Sequence, residues 1–193
     1  GRISHDDVVD VLHEEAEEDV LRLAGTDAEE LLYRDRAFPI ARVRLPWLAV
    51  NLVGSLCSAA LIAMYEPILE QVIVIAAFVP VITAMGGNVG TQSATILTRG
   101  FATGRLDLED VPRLAFKELR VGLIMGTLCG LAVGGIAALF FDGGKGYLGL
   151  VVGIAMISAM TAAAVVGALA PAALKRFGID PAIASGPFVT TAN

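Results

Sequence analysis

The sequence predicts an all-α polytopic membrane protein. The chain is 55% hydrophobic and only 18% charged, with a mean hydropathy of +0.71, a composition typical of proteins that cross a bilayer. Long uncharged runs recur along it, and a helix of about twenty such residues spans the apolar core of a membrane. These runs predict five membrane helices, at about 45–65, 68–99, 112–141, 146–174 and from 180 to 193 and onward.

The first part of the chain differs from the rest in charge. Residues 1–35 carry twelve Asp and Glu against three Arg, whereas residues 36–193 carry eight acidic and eleven basic residues. No concentrated basic surface indicates a nucleic-acid partner. We expect residues 1–5 to end a preceding domain, residues 6–44 to form a cytoplasmic connecting segment and residues 45–193 to form the membrane domain. We also expect the chain to be a fragment that lacks pieces at both ends.

An amphipathic helix is predicted between about Asp6 and Ala24, with apolar residues at intervals of three and four. The opposite side of this helix carries Asp7, Asp10, Glu14 and Glu18. Carboxylates on successive turns repel one another unless water, salt or a divalent cation screens them. Oxygen clusters suit hard cations such as Mg²⁺ and Ca²⁺. The helix is therefore either a solvated charged face or a metal sensor.

The distribution of basic residues predicts the orientation in the membrane. If successive apolar runs cross the bilayer in alternate directions, thirteen of the fourteen Lys and Arg fall on one side. Short loops rich in Lys and Arg stay in the cytoplasm. We therefore expect a multi-pass protein of the plasma (inner) membrane with a cytoplasmic N-terminus.

The second and fifth apolar runs each contain a polar break. Lipid supplies no hydrogen-bond partners to backbone groups, so glycines, prolines and amides are poor choices for a helix that faces it. We expect interrupted helices at these breaks, which contain Gly86, Gly87, Asn88, Thr91, Gln92 and Thr95 in the second run and Gly186, Pro187, Thr190, Thr191 and Asn193 in the fifth. Such residues either line a polar path or allow close helix contact, and the composition supports both equally.

Two further features concern the last three runs. The third run has a glycine at every fourth residue from Gly122 to Gly134, and the fourth run has Gly149 and Gly153. Small residues at this spacing let helix backbones approach, within one bundle or between protomers. Asp180 precedes Pro181 as a predicted helix N-cap. It also lies at the predicted cytoplasmic mouth, where a carboxylate is able to meet a cation.

Two motifs together carry a family resemblance. The segments Pro80-x₅-Gly86-Gly87-Asn88-x-Gly90-x-Gln92-Ser93-Ala94-Thr95 and Asp180-Pro181-Ala182-x₂-Ser185-x-Pro187-x-Val189-x-Thr191 resemble the MgtE family of magnesium channels and transporters. The acidic segment from Asp6 to Asp10 resembles the end of that family's second CBS domain and the connecting plug helix. The resemblance covers essentially the whole chain.

The resemblance implies a homodimer with five membrane helices per protomer and a pore along the dimer axis, between the second and fifth helices. The implied pore-lining residues are Gly86, Gly87, Asn88, Thr91, Thr95, Pro187, Thr190 and Asn193, and the family's pore carboxylate would follow directly after Asn193. It further implies that cytoplasmic Mg²⁺ holds the pore shut. The candidate ligands of this regulatory metal are Asp7, Asp10, Glu14, Glu15, Glu18, Asp19 and Asp180.

The predicted function is a Mg²⁺-selective channel pore that lets Mg²⁺ enter passively, with Mg²⁺ as both the transported and the regulatory ion. An enzyme is not expected, because the spans contain no nucleophile–base pair and the chain has no phosphate-binding loop. Two alternatives stay open. One is a coupled carrier or a channel for other divalent cations such as Co²⁺ or Mn²⁺, and the other is a non-conducting membrane metal sensor.

Overall fold

The computed structural model describes residues 8, 11, 14, 21, 37–66, 73–141, 147–179 and 181. These residues form four long α-helices, which are α1 (Ala37–Met64), α2 (Ile73–Ala102), α3 (Val111–Phe140) and α4 (Tyr147–Arg176). A single 3₁₀ turn, Leu108–Asp110, precedes α3. No described residue lies in a strand, and the predicted all-α fold class is confirmed.

Most of the predicted membrane spans correspond to helices. Among the described residues, α2, α3 with its 3₁₀ turn, and α4 are each long and apolar enough to cross a membrane. Helix α1 adds a fourth if its two parts, Ala37–Pro46 and Leu48–Met64, count as one span across the 47° bend between them. Proline in a helix interior removes a backbone hydrogen bond and kinks the helix. The predicted fifth helix lies outside the described residues apart from Pro181, which is helical.

Helix α1 begins well before the uncharged run that predicted it. It starts at Ala37 rather than near residue 45, and it includes Arg42 and Arg44. Arginine is a good helix former, so a charged residue ends an apolar run without ending the helix. The length of an uncharged run therefore underestimates the length of the helix that contains it.

Helix α4 is the centre of the bundle, because it packs against both α2 and α3. Three buried clusters follow one another along α4, around Val152, Met160 and Ala168. Their α2 members appear in the same order, from Phe78 to Leu97. The order shows that α2 and α4 run in the same direction, as expected for two helices separated by one crossing of the membrane.

The predicted glycine stripe lies at the α3–α4 contact. Positions 122, 126, 130 and 134 of α3 face positions 161, 157, 153 and 149 of α4, so the two helices are antiparallel. A methyl group on Gly130 would lie 2.8 Å from the carbonyl oxygen of Gly153. The backbones of α3 and α4 therefore touch. This packing within the bundle is one of the two alternatives that the sequence left open.

A Schellman turn ends α4. Gly178 adopts a positive φ of 72°, which glycine reaches without steric cost. Its N–H donates to the carbonyl oxygen of Lys175 at 3.1 Å, and the N–H of Ile179 donates to that of Leu174 at 2.9 Å, the bond pair of this motif. The turn brings the chain directly to Pro181. The predicted cap Asp180 lies outside the described residues.

Candidate functional site

Helix α2 runs without interruption through the segment that was expected to break it. The helix extends from Ile73 to Ala102 and contains both Pro80 and the glycines, so the expected interruption at this segment is wrong. Close packing at Gly90 explains why the helix continues. A methyl group on Gly167 of α4 would overlap the carbonyl oxygen of Gly90. Glycine weakens a helix by about 1 kcal/mol. Here it permits close packing against α4, and that packing stabilises the continuous helix.

The predicted pore-lining residues on α2 divide between its two sides. Gly86 is buried and Gly87 is half-buried, whereas Asn88, Thr91 and Thr95 are exposed. Gly86 therefore shares the bundle-facing side of α2 with Gly90, away from the exposed polar residues.

The exposed side chains form one continuous strip, which we call the α2 polar face. It consists of Asn88, Thr91, Gln92 and Thr95. At about 100° per residue these positions cover roughly 100° of the helix circumference. The hydroxyl of Thr95 donates to the carbonyl oxygen of Thr91 at 2.8 Å, so its oxygen lone pairs remain able to accept. Amide and hydroxyl groups at mid-membrane are costly against lipid and occur where they meet protein or water.

The opposite side of α2 is held by a buried polar pair. The Ser93 hydroxyl donates to Glu118 Oε2 of α3 at 2.7 Å. The two residues are 2% and 4% exposed, so both are shielded from solvent and lipid. The Nζ of Lys117 lies 4.0 Å from the other carboxylate oxygen. Because Ser93 follows Gln92 in the chain, this bond fixes the rotation of α2 and turns the α2 polar face outward.

Glu118 was not among the predicted site residues, although the chain contains a signal for it. Glu118 stands four residues before Gly122, in register with the glycine stripe, and is buried together with it. A charged residue in register with a small-residue stripe points into the bundle, where burial of a charge requires a hydrogen-bond partner. The spacing alone would have singled out Glu118 as a buried carboxylate.

Most of the other predicted site residues lie outside the described part of the chain. Glu14 is the described member of the metal-ligand set, and it is exposed. The other members of this set lie outside the described residues and are Asp7, Asp10, Glu15, Glu18, Asp19 and Asp180. Three predicted pore-lining residues also lie outside them, namely Pro187, Thr190 and Asn193. Within the described residues, no three His, Cys, Asp or Glu side chains lie close enough together to hold a metal ion.

Comparison with known proteins identifies the family. The sequence profile of MgtE, described as a divalent cation transporter, matches residues 79–193. The chain is 40% identical to the magnesium transporter MgtE of Thermus thermophilus over 195 residues, which is 99% of this chain and 42% of that protein. It is 33% identical to the magnesium transporter MgtE of Bacillus subtilis over 193 residues, with 100% and 42% covered.

A third relative, the magnesium transporter MgtE of Enterococcus faecalis, is 36% identical over 191 residues, which is 99% of this chain and 41% of that protein. The chain therefore spans about two-fifths of the length of these relatives. The relatives are named as transporters, which confirms the prediction that the chain is not an enzyme. Together with the apolar helices, the profile match shows that this multi-pass membrane chain belongs to the MgtE family of divalent cation transporters.

Proposed function

We propose that the complete protein is a magnesium channel and that the α2 polar face lines its ion path. The relatives named as magnesium transporters support Mg²⁺ as the transported ion. The observation that carries the assignment of the path is the exposed polar strip in the middle of α2, a helix long enough to span a membrane.

The chemistry of the α2 polar face suits a hydrated ion. Mg²⁺ gives up its water shell reluctantly, so a selective path contacts the ion through its waters. Hydroxyl and amide oxygens act as acceptors for those waters. Asn88, Thr91 and Thr95 provide such groups on successive turns of one exposed face. Mg²⁺ then moves down its electrochemical gradient, since each charge gains about 2.3 kcal/mol per 100 mV of membrane potential.

A second protomer and the fifth helix complete the wall of the proposed path. In this proposal a homodimer places two α2 polar faces opposite each other, and the fifth helix adds Pro187, Thr190 and Asn193. Isologous association of this kind is the commonest form of homo-oligomer. It would convert a polar strip that is costly against lipid into the wall of an aqueous path.

In this proposal the acidic connecting segment, residues 6–44, regulates the opening of the ion path. We place the sensor at the carboxylates predicted as metal ligands, from Asp7 to Asp19 and at Asp180. When cytoplasmic Mg²⁺ is abundant, bound cations screen these carboxylates and let the acidic helix pack at the cytoplasmic mouth of the path. When Mg²⁺ is scarce, repulsion between the bare carboxylates separates them and opens the path.

The test of the path is a pair of matched threonine variants. Thr95 and Thr127 are both exposed helix residues whose hydroxyls bond to the carbonyl four residues earlier, at 2.8 and 2.7 Å. Only Thr95 lies on the α2 polar face. Removal of an acceptor that leaves its donor, here a water of the ion, unsatisfied costs about 1–3 kcal/mol, so Thr95→Leu should lower Mg²⁺ flux at least about fivefold in liposomes that contain the complete protein. Thr127→Leu should leave the flux within twofold of the unsubstituted protein.

Three outcomes would contradict the proposal. Equal flux in the two variants would remove the α2 polar face from the path. Flux that requires a Na⁺ or proton gradient would establish a coupled carrier. Metal binding by the complete protein without any flux under an inside-negative potential would establish a sensor.

A further inference from the structure

A groove at the start of α3 combines a high positive charge with a concave shape. Its volume is about 720 Å³, and it lies between the loop after α2 and the first turns of α3. Its charged lining consists of Arg105, Asp110, Arg113, Lys117 and Arg120. Among the described residues that line it, four are cationic and one is acidic, so the groove carries a formal charge of +3.

The cations on α3 are arranged in a way that favours an anionic ligand. Arg113, Lys117 and Arg120 are spaced by four and three residues and share one face of the helix. Like charges at this spacing destabilise a helix unless an anion compensates them. Lys117 already has such an anion, because its Nζ lies 4.0 Å from a carboxylate oxygen of Glu118, so an anionic ligand would compensate mainly Arg113 and Arg120. Asp110 Oδ2 already accepts the backbone N–H of Asp107 at 3.1 Å. The guanidinium of Arg120 lies 4.3 Å from the ring centroid of Phe116, which orients its charge without neutralising it.

The same face of α3 becomes apolar immediately beyond the cations. Ile124 belongs to the groove lining, and Leu128 and Leu131 continue its face at helical spacing. The three side chains are 62%, 64% and 70% exposed. They lie in the part of α3 that is apolar enough to be embedded in a membrane. One helix face therefore presents three cations at the membrane boundary and then an apolar strip that runs into the bilayer.

We infer that this groove binds an anionic glycerophospholipid of the leaflet that the α2–α3 loop faces. The lipid phosphate would contact Arg113, Lys117 and Arg120, and an acyl chain would lie along Ile124, Leu128 and Leu131. Basic pockets beside membrane helices bind anionic headgroups in this way. The continuity of the cations with the apolar strip favours a lipid over a free phosphate, because a free phosphate has no acyl chain to cover the apolar strip.

This inference is independent of ion conduction, because it requires only that α3 crosses the membrane. Its test is native mass spectrometry of the complete protein in detergent, with phosphatidylglycerol or phosphatidylcholine added at equal concentration. The unsubstituted protein should retain phosphatidylglycerol at least tenfold more than phosphatidylcholine. Each cation near an anionic headgroup contributes about a fivefold change in binding, so Arg113→Gln/Arg120→Gln should lower the retained phosphatidylglycerol by about twentyfold or more.

The control is Arg176→Gln, which removes an exposed cation from the end of α4, outside the groove. It should retain phosphatidylglycerol like the unsubstituted protein. Arg113→Lys/Arg120→Lys keeps the charge and should also retain the lipid. If the glutamine double variant does not fold, the single variants Arg113→Gln and Arg120→Gln should each lower the retained phosphatidylglycerol by about fivefold. Equal retention of the two lipids, an equal loss in Arg176→Gln, or displacement of phosphatidylglycerol by millimolar inorganic phosphate would each overturn the inference.

Discussion

Two adjacent glycines of α3 provide a sharp test of the helix packing. A methyl group on Gly134 would lie 2.6 Å from the carbonyl oxygen of Gly149, whereas one on Gly135 would meet nothing within 4 Å. Close carbon–oxygen contacts between helices are about 3.3 Å or longer. Gly134→Ala must therefore push α3 and α4 apart by roughly 0.7 Å, because a backbone carbonyl cannot rotate away as a side chain does.

The size of the effect follows from this separation. Overpacking by one methyl group costs about 1–3 kcal/mol, and a radial gap of about 0.5–1 Å forfeits a quarter to a half of each neighbouring contact. Alanine also gains up to about 1 kcal/mol over glycine in a helix. That gain is common to both variants, since the two positions are adjacent in the same helix. The difference between Gly134→Ala and Gly135→Ala thus isolates the steric cost of about 1–3 kcal/mol.

The assay is thermal denaturation of the purified complete protein in detergent, followed by gel filtration. For each variant one measures the temperature at which half of the protein leaves its monodisperse gel-filtration peak. Gly134→Ala should melt several degrees below Gly135→Ala, which should melt at or above the unsubstituted protein. Equal melting temperatures for the two variants, or a lower one for Gly135→Ala, would refute the backbone contact between α3 and α4.

Two further predictions concern carboxylates. Glu118→Ala should destabilise the protein by about 1.5–3 kcal/mol, because a charge-assisted hydrogen bond is lost and the buried Ser93 hydroxyl is left without its acceptor. A double-mutant cycle with Ser93→Ala should give a coupling energy above about 1 kcal/mol, and additive effects would contradict the pairing. Glu18→Gln and Asp180→Asn should each weaken the inhibition of flux by Mg²⁺ on the cytoplasmic side, while the exposed Glu109→Gln should not. Unchanged inhibition in the first two would remove them from the sensor.

Much of the fold follows from local features of the sequence. Uncharged runs of about twenty residues must form helices in a bilayer, and each of the first four runs overlaps one of the helices α1 to α4, although α1 begins before its run. The four-residue glycine spacing predicted a close helix contact, although not its partner. The partner was decided by tertiary structure, because the stripe from Gly122 to Gly134 meets the matching positions from Gly149 to Thr161 in reverse order.

The candidate site was less predictable for a physical reason. The glycines of α2 were interpreted as a break because glycine is a poor helix former, but Gly90 contacts Gly167 and this packing outweighs local propensity. The exposed polar strip from Asn88 to Thr95 was recognised as a possible path, whereas Glu118 was overlooked. Glu118 stands among Arg113, Lys117 and Arg120 at the start of the predicted third span, and a charge in such a group is interpreted as exposed unless the period of the neighbouring glycines is extended to it.

The central claim is that the α2 polar face lines an aqueous path, and cysteine accessibility tests it most directly. In the complete protein, with Cys57, Cys129 and every other native cysteine replaced, Asn88→Cys or Thr127→Cys is introduced, and Mg²⁺ uptake into liposomes is measured before and after treatment with a charged, membrane-impermeant thiol reagent. Such reagents attack the thiolate, which forms in water and not in lipid. Modification and block of uptake at Asn88, with neither at Thr127, is the predicted result. An unreactive Asn88→Cys, or uptake that persists after its complete modification, would contradict the claim.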